Sequence, residues 1–180
     1  MILKLDDTSL NFPDPELADE DGLLAMGGDL STERLKVAYN NGIFPWFSGE
    51  EPIFWYSPHL RCVIFPDKIN ISQSMEKIIS KKIFEIKIDT AFEKVIENCK
   101  NISRPGQEGT WISNTMQNSY TKFHHEGMAH SIEAWQGDKL VGGLYGVAIN
   151  GVFCGESMFS KVSNASKSAL IWLCQLVNIN

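Results

Sequence analysis

The sequence predicts an α+β fold with a mainly antiparallel sheet, and three observations carry that expectation. The first is the stretch from Ala129 to Phe159, where Gln136-Gly137-Asp138 and Asn150-Gly151 divide three strand-like runs. An Asn-Gly pair between such runs is the strongest short-range hairpin signal, because both turn positions take positive φ. The second is the alternation of Phe84, Ile86 and Ile88 with Glu85 and Lys87, the period of a half-buried strand. The third is the spacing of Phe92, Val95, Ile96 and Cys99 at i, i+3, i+4 and i+7, one apolar stripe of a helix. Strands and helices therefore mix without the regular alternation of a parallel sheet, and no segment repeats.

From the N-terminus, residues 10–29 combine Phe12-Pro13-Asp14-Pro15 with Asp19-Glu20-Asp21-Gly22 and read as an ordered loop. Ser31 caps a short helix carrying Leu35, Ala38 and Tyr39, which Gly42 stops. Ile43-Phe44-Pro45-Trp46-Phe47 is an aromatic block broken by Pro45. Ile53-Phe54-Trp55-Tyr56 and Arg61-Cys62-Val63-Ile64-Phe65 are strand-like runs on either side of Ser57-Pro58. Ser72 caps a helix with Met75, Ile78 and Ile79 on one side, and Thr90 with Glu93 forms a capping box for the helix that follows. Another helix starts at Ser113, turns Met116, Tyr120 and Phe123 inward and stops at Gly127. After the three-stranded meander, Ser163 or Asn164 caps a last helix through Ala169, Leu170 and Trp172.

The 180 residues suffice for one ordinary domain or two small ones, and 43% hydrophobic with 21% charged side chains is a composition that buries a core. Disorder, collagen-like structure and coiled coil are excluded. A net charge of -6 argues against a protein that coats nucleic acid non-specifically, since phosphate neutralisation needs a basic surface. The charge is uneven, however. Residues 1–60 carry 11 acidic and 3 basic side chains, whereas residues 61–104 carry 6 and 9. That basic middle, with Lys77, Lys81, Lys82, Lys87, Lys94, Lys100 and Arg104, is either a solvated face of mixed helices or the stretch that attracts a polyanion. Cys62, Cys99, Cys154 and Cys174 lie far apart with no Cys-x-x-Cys pair, so neither a disulfide framework nor a zinc ribbon is expected. The opening residues lack a signal-peptide pattern, and no apolar run approaches the roughly 18 residues of a membrane span. A cytoplasmic protein without membrane association is the expectation.

Glu156 is the residue that most invites chemistry. It sits within Phe153-Cys154-Gly155-Glu156-Ser157-Met158-Phe159, an apolar strand with no basic neighbour. A carboxylate there needs donors, a cation or a substrate amine, or it stays protonated. It is a general base, an anchor for an ammonium group, or a structural partner of an arginine or a turn. Gly142, Gly143, Gly146, Gly151 and Gly155 thin the same sheet, either for a ligand or backbone that approaches closely or at local bulges. None has dinucleotide-binding spacing. His124, His125 and His130 have no cysteine or carboxylate at ligand spacing, so no metal is expected, nor any other cofactor. Trp46, after Pro45, and Trp111, ahead of a helix cap, are either core residues or loop-held rings that stack a base or an adenosine.

The blocks in order resemble the bacterial leucyl/phenylalanyl-tRNA–protein transferases. The matching stretches are Gly22-Leu23-Leu24-Ala25-Met26-Gly27-Gly28-Asp29-Leu30, Gly42-Ile43-Phe44-Pro45-Trp46, Ser57-Pro58, Gly109-Thr110-Trp111-Ile112 and Ala129-His130-Ser131-Ile132-Glu133. Val141-Gly142-Gly143-Leu144-Tyr145-Gly146, Phe153 to Ser160 and Asn164-Ala165-Ser166-Lys167 complete them. Each alone is weak, and their order over nearly the whole chain is specific.

The resemblance implies a small N-terminal domain (1–62) on a GNAT-like acyltransferase domain (63–180). It implies a monomer that transfers Leu, Phe or Met from aminoacyl-tRNA to proteins beginning with Lys or Arg, marking them for degradation. By position, Leu144, Phe153, Met158 and Leu170 match the family's side-chain pocket, Trp46 and Trp111 its adenosine sandwich with Tyr39 and Tyr120 nearby, and Glu156 a polar residue of the site. Lys77, Lys81 and Lys82 match the region facing the acceptor stem, with Glu76 diluting the charge. The end departs from the pattern. Family members continue into further strands, one with an Asp-Cys-Gln motif whose Asp and Gln carry catalysis. Here Cys174-Gln175 is either that motif's tail, with Leu173 where Asp would stand, or part of the helix itself. The expectation is a shortened copy lacking that Asp and the closing strands. Two rival functions stand beside transfer: a non-catalytic binder of the aminoacyl-tRNA 3′ end, and a GNAT N-acetyltransferase, whose pyrophosphate loop Ser160–Lys167 does not reproduce.

Overall fold

A computed structural model describes residues 2–48, 52–102 and 110–177; Arg104, Gly109 and Asn178 lie outside the described residues. The meander is as expected. Strands β6 (Ala129–Gln136), β7 (Lys139–Ile149) and β8 (Val152–Ser160) pair antiparallel, and β5 (Glu85–Ile88) adds to β6, giving the order β5-β6-β7-β8. Asn150 and Gly151 both have positive φ, the geometry that a two-residue turn matched to strand twist requires.

A second sheet is built from the first third of the chain. Strands β1 (Leu3–Leu5), β2 (Leu23–Gly27), β3 (Phe44–Pro45) and β4 (Phe54–Tyr56) lie in the order β1-β2-β4-β3, with only β1 and β2 parallel. Here the sequence misleads. Residues 10–29 are not all loop, because Leu23-Leu24-Ala25-Met26-Gly27 forms a strand between two others. That strand is buried at Leu24 and Ala25 and shows no polar–apolar alternation to announce it. The expected Arg61–Phe65 strand is absent for the converse reason. Its residues have strand propensity but pair with no strand among the described residues, and Val63, Ile64 and Phe65 are exposed. They wall an open groove of about 610 Å³ completed by Met75, Leu170 and Ile171.

The helices follow their stripes. Helix α1 (Thr32–Asn40) is capped by Ser31, α2 (Gln73–Ser80) by Ser72 and α4 (Asn114–His125) by Ser113, each side chain accepting a backbone N–H of the first turn. Helix α3 (Phe92–Asn101) buries Phe92, Val95, Ile96 and Cys99, but the expected capping box does not form. The carboxylate of Glu133, on β6, takes the place of the cap. It accepts from the Thr90 hydroxyl (2.8 Å), the Thr90 and Ala91 N–H groups (3.4 and 3.3 Å) and the Ser131 hydroxyl (2.6 Å). Helix α5 (Ala165–Val177) contains Leu173, Cys174 and Gln175, so of the two readings of Cys174 the structure has the helical one.

Helices α3 and α4 cover one face of the β5–β8 sheet and α5 the other. The largest apolar cluster joins Leu35, Ala38 and Trp55 of the N-terminal third to Val95, Met116, Phe123 and Phe159 without a break. Among the described residues no helix is long and apolar enough to cross a membrane.

Candidate active site

Glu156 owes its position to an irregularity in the β7–β8 ladder. Tyr145 opposes Ser157 and Gly146 opposes Gly155, which leaves Glu156 as the extra residue of a bulge. A bulge bends the strand and re-aims one side chain, a common device beside active sites. It turns Glu156 toward α1 and α4, where the Tyr39 hydroxyl donates to its Oε1 at 2.6 Å and lies 2.5 Å from the Tyr120 hydroxyl. Tyr39 spends its one proton on the carboxylate, so Tyr120 donates to Tyr39. The result is a directed chain, Tyr120 to Tyr39 to Glu156, spanning three elements.

Burial raises the Glu156 carboxyl from its ordinary 4.5 to about 7, while the two tyrosine hydroxyls and the Arg61 charge pull it back. Burial and the carboxylate push both tyrosines well above their usual value, so they stay protonated donors. A carboxylate poised near neutrality beside fixed donors has the profile of a general base.

Gly146 is essential to this bulge. A Cβ there would lie 2.3 Å from the Cys154 carbonyl oxygen and 2.6 Å from the Phe153 ring. We expect Gly146→Ala to cost about 1–3 kcal/mol by denaturant melting, the usual range for overpacking, because a backbone atom cannot rotate aside. The other strand glycines divide. Gly142 and Gly143 admit Ala165 of α5 and the Ile132 carbonyl, while Gly155 faces open space.

The remaining candidates fall into separate places. Leu144, Phe153 and Leu170 gather with Ile132, Ala169 and Leu173 on the α5 face, and Met158, opposite Leu144 in the ladder, is exposed on that side. The tyrosine–glutamate chain lies on the other face, and β8 is common to both. At the sheet edge among the described residues, β8 is the strand around which the two sets meet. Trp46 is 54% exposed and packs edge-on against Tyr56 at 5.5 Å, whereas Trp111 is half-buried against the main core. Lys77, Lys81 and Lys82 are exposed around the last turn of α2. His130 bonds Asp89 at 2.7 Å and His124 donates to the Ala129 carbonyl at 2.8 Å while stacking on Phe92. Among the described residues no three ligand-type side chains converge.

Sequence reasoning passed over Arg61. It is the sole Lys or Arg between Lys36 and Lys68, shortly after the aromatic run Phe54-Trp55-Tyr56, which was the available signal.

Comparison with known proteins shows the family. Residues 63–180 match the model of the leucyl/phenylalanyl-tRNA protein transferases, and residues 28–59 match that of their N-terminal domain. The chain belongs to the leucyl/phenylalanyl-tRNA–protein transferase family. A relative from Flavobacterium psychrophilum, the leucyl/phenylalanyl-tRNA–protein transferase, is 56% identical over 171 residues, covering 95% of this chain and 81% of that protein. Transferases of the same name from Syntrophus aciditrophicus and Pectobacterium carotovorum are 55% and 51% identical, covering 93% and 94% of this chain and 70% and 72% of theirs.

Proposed function

We propose that this cytoplasmic chain, a small unit of residues 1–62 on an acyltransferase unit of residues 63–180, transfers Leu, Phe or Met from aminoacyl-tRNA to the α-amino group of proteins beginning with Lys or Arg. The observation that carries this reading is the Tyr120–Tyr39–Glu156 chain at the β8 bulge. The donor ester is already activated, so the protein needs only to hold the two substrates and manage one proton. Glu156 accepts that proton from the incoming ammonium. An α-amino group titrates at about 8, close enough to the carboxyl's value of about 7 for the transfer to be nearly balanced. The freed amine attacks the ester carbonyl carbon, and as the carbon–oxygen bond to the terminal ribose breaks, the attacking nitrogen gives up its second proton and the departing oxygen takes up that proton.

Leu144, Phe153, Met158 and Leu170 receive the apolar side chain on the α5 face of β8. Trp46 and Trp111 stack the terminal adenosine, and Lys77, Lys81 and Lys82 meet phosphates of the acceptor stem. Trp46→Ala and Trp111→Ala should each weaken aminoacyl-tRNA binding by about 1–3 kcal/mol in a filter assay, the worth of one stacked base. An unchanged affinity removes that tryptophan from the site.

The deciding assay mixes radiolabelled Phe-tRNA with a peptide beginning with Arg. Acid-stable label on the peptide, absent when its N-terminus is acetylated, is the expected result. Retention of the charged tRNA without any transfer would make the chain a binder of the tRNA end, and acetylation of the peptide by acetyl-CoA would make it an N-acetyltransferase.

A further inference from the structure

Arg61 is exposed, yet its guanidinium is held in place. One terminal nitrogen donates to the Gly42 carbonyl oxygen at the end of α1, and the planar group lies 4.8 Å from the centroid of Phe44. Such stacking is characteristic of arginine and leaves the in-plane N–H groups free to meet an anion. Among the described residues no carboxylate forms an ion pair with it, in a chain whose net charge is -6.

Its neighbours show what kind of anion fits. Phe44 and Tyr56 oppose each other in the β3–β4 ladder and stack, with ring centroids 6.2 Å apart and planes 28° apart. Tyr56 in turn meets the exposed Trp46 edge-on. One face of this ribbon thus presents a cation, two rings and an open indole in a row. The same cation acts on Glu156 and Cys154, holding both groups lower than burial alone would leave them, so it also stands on the side of the bulge. A ligand spanning indole, guanidinium and carboxylate carries a flat base, a phosphate and a reactive end.

We propose that Arg61 is a phosphate anchor of this site, its guanidinium, laid on Phe44 and tied to the Gly42 carbonyl, gripping the phosphodiester that leads into a terminal nucleoside stacked on Trp46. This rests on the aminoacyl-tRNA reading above and adds to it a residue that fixes the ester by the backbone of the nucleic acid. Planar arginine matches a phosphate with two parallel hydrogen bonds, which lysine cannot do.

The test compares two non-hydrolysable ligands. One is 3′-(phenylalanylamino)-3′-deoxyadenosine, which has no phosphate, and the other is the same nucleoside joined through its 5′ phosphate to cytidine. Arg61→Gln should weaken the phosphate-bearing ligand about 10-fold or more and the phosphate-free one less than about 2-fold. Arg61→Lys should recover only part of the loss. With intact aminoacyl-tRNA, the plot of log affinity against log salt should become shallower by about 0.7 in Arg61→Gln, the share of one single-stranded phosphate. Equal losses for both ligands, or no loss for either, would overturn the proposal while leaving the transferase reading in place. If the unaltered chain bound neither ligand nor charged tRNA, the transferase reading itself would fail and the anchor with it.

Discussion

Glu156→Gln should lower the turnover of peptide-bond formation by about 10²–10⁴-fold, the range for loss of a positioned proton acceptor. The amide keeps the shape of the side chain and can still accept the Tyr39 hydrogen bond, so aminoacyl-tRNA affinity should stay within about 2-fold. A single-turnover assay at saturating charged tRNA separates the two quantities, and equal losses in both would remove Glu156 from proton transfer. The pH profile gives an independent readout. Because the carboxyl titrates near 7, the rate should rise through that value as the base ionises, and the glutamine variant should lose the rise. Tyr39→Phe should move the midpoint upward, since it deletes a hydrogen bond that favours the ionised form. Stability runs the opposite way. A carboxyl raised from 4.5 to about 7 by folding contributes stability below the lower value and loses it as pH climbs through the higher one. The loss is on the order of 3 kcal/mol, and it too should vanish in Glu156→Gln. The site therefore works where the fold holds it least firmly.

The largest effect on stability is expected at Glu133. Its side chain is fully buried and accepts from two hydroxyls and two backbone N–H groups, and among the described residues no cation forms an ion pair with it. Glu133→Ala leaves those donors unpaired and opens a hole between β6 and the start of α3. Each stranded donor costs ~1–3 kcal/mol, so a combined loss of about 4 kcal/mol or more is expected in urea melts. Glu133→Gln should fall in between, as one amide oxygen still accepts. A loss below about 1 kcal/mol for the alanine variant would mean that Ser113-type local capping, not the carboxylate, holds helix starts in this fold.

The elements that could be read directly from the sequence are those whose cause is local. The Asn150-Gly151 turn, the stripe of α3 and the serine caps of α1, α2 and α4 each depend on residues a few positions apart. What the sequence hid depends on partners far along the chain. Leu23–Gly27 becomes a strand because β1 and β4 flank it, and Arg61–Phe65 does not because nothing does. The start of α3 is closed by a carboxylate some forty positions on, which no capping pattern encodes. The site divides in the same way. Glu156 was conspicuous as an acid in an apolar strand, whereas its link to Tyr39 and Tyr120 arises from a bulge, a two-against-one pairing that leaves no mark in composition. Arg61 was overlooked because an arginine ahead of an apolar run looks like an ordinary surface residue until Phe44 is seen beneath it.

The unbroken apolar cluster that links the N-terminal third to the meander constrains how such a protein can change over generations. Tyr39 reaches Glu156 from a helix on the N-terminal side of that cluster, so proton handling is a joint property of both halves. An exchange of the leading segment between distant relatives would have to carry matching substitutions across the seam, or the acid would lose its donor along with its packing. Descent should therefore transmit the two parts as a single inheritance, with drift in one answered by drift in the other.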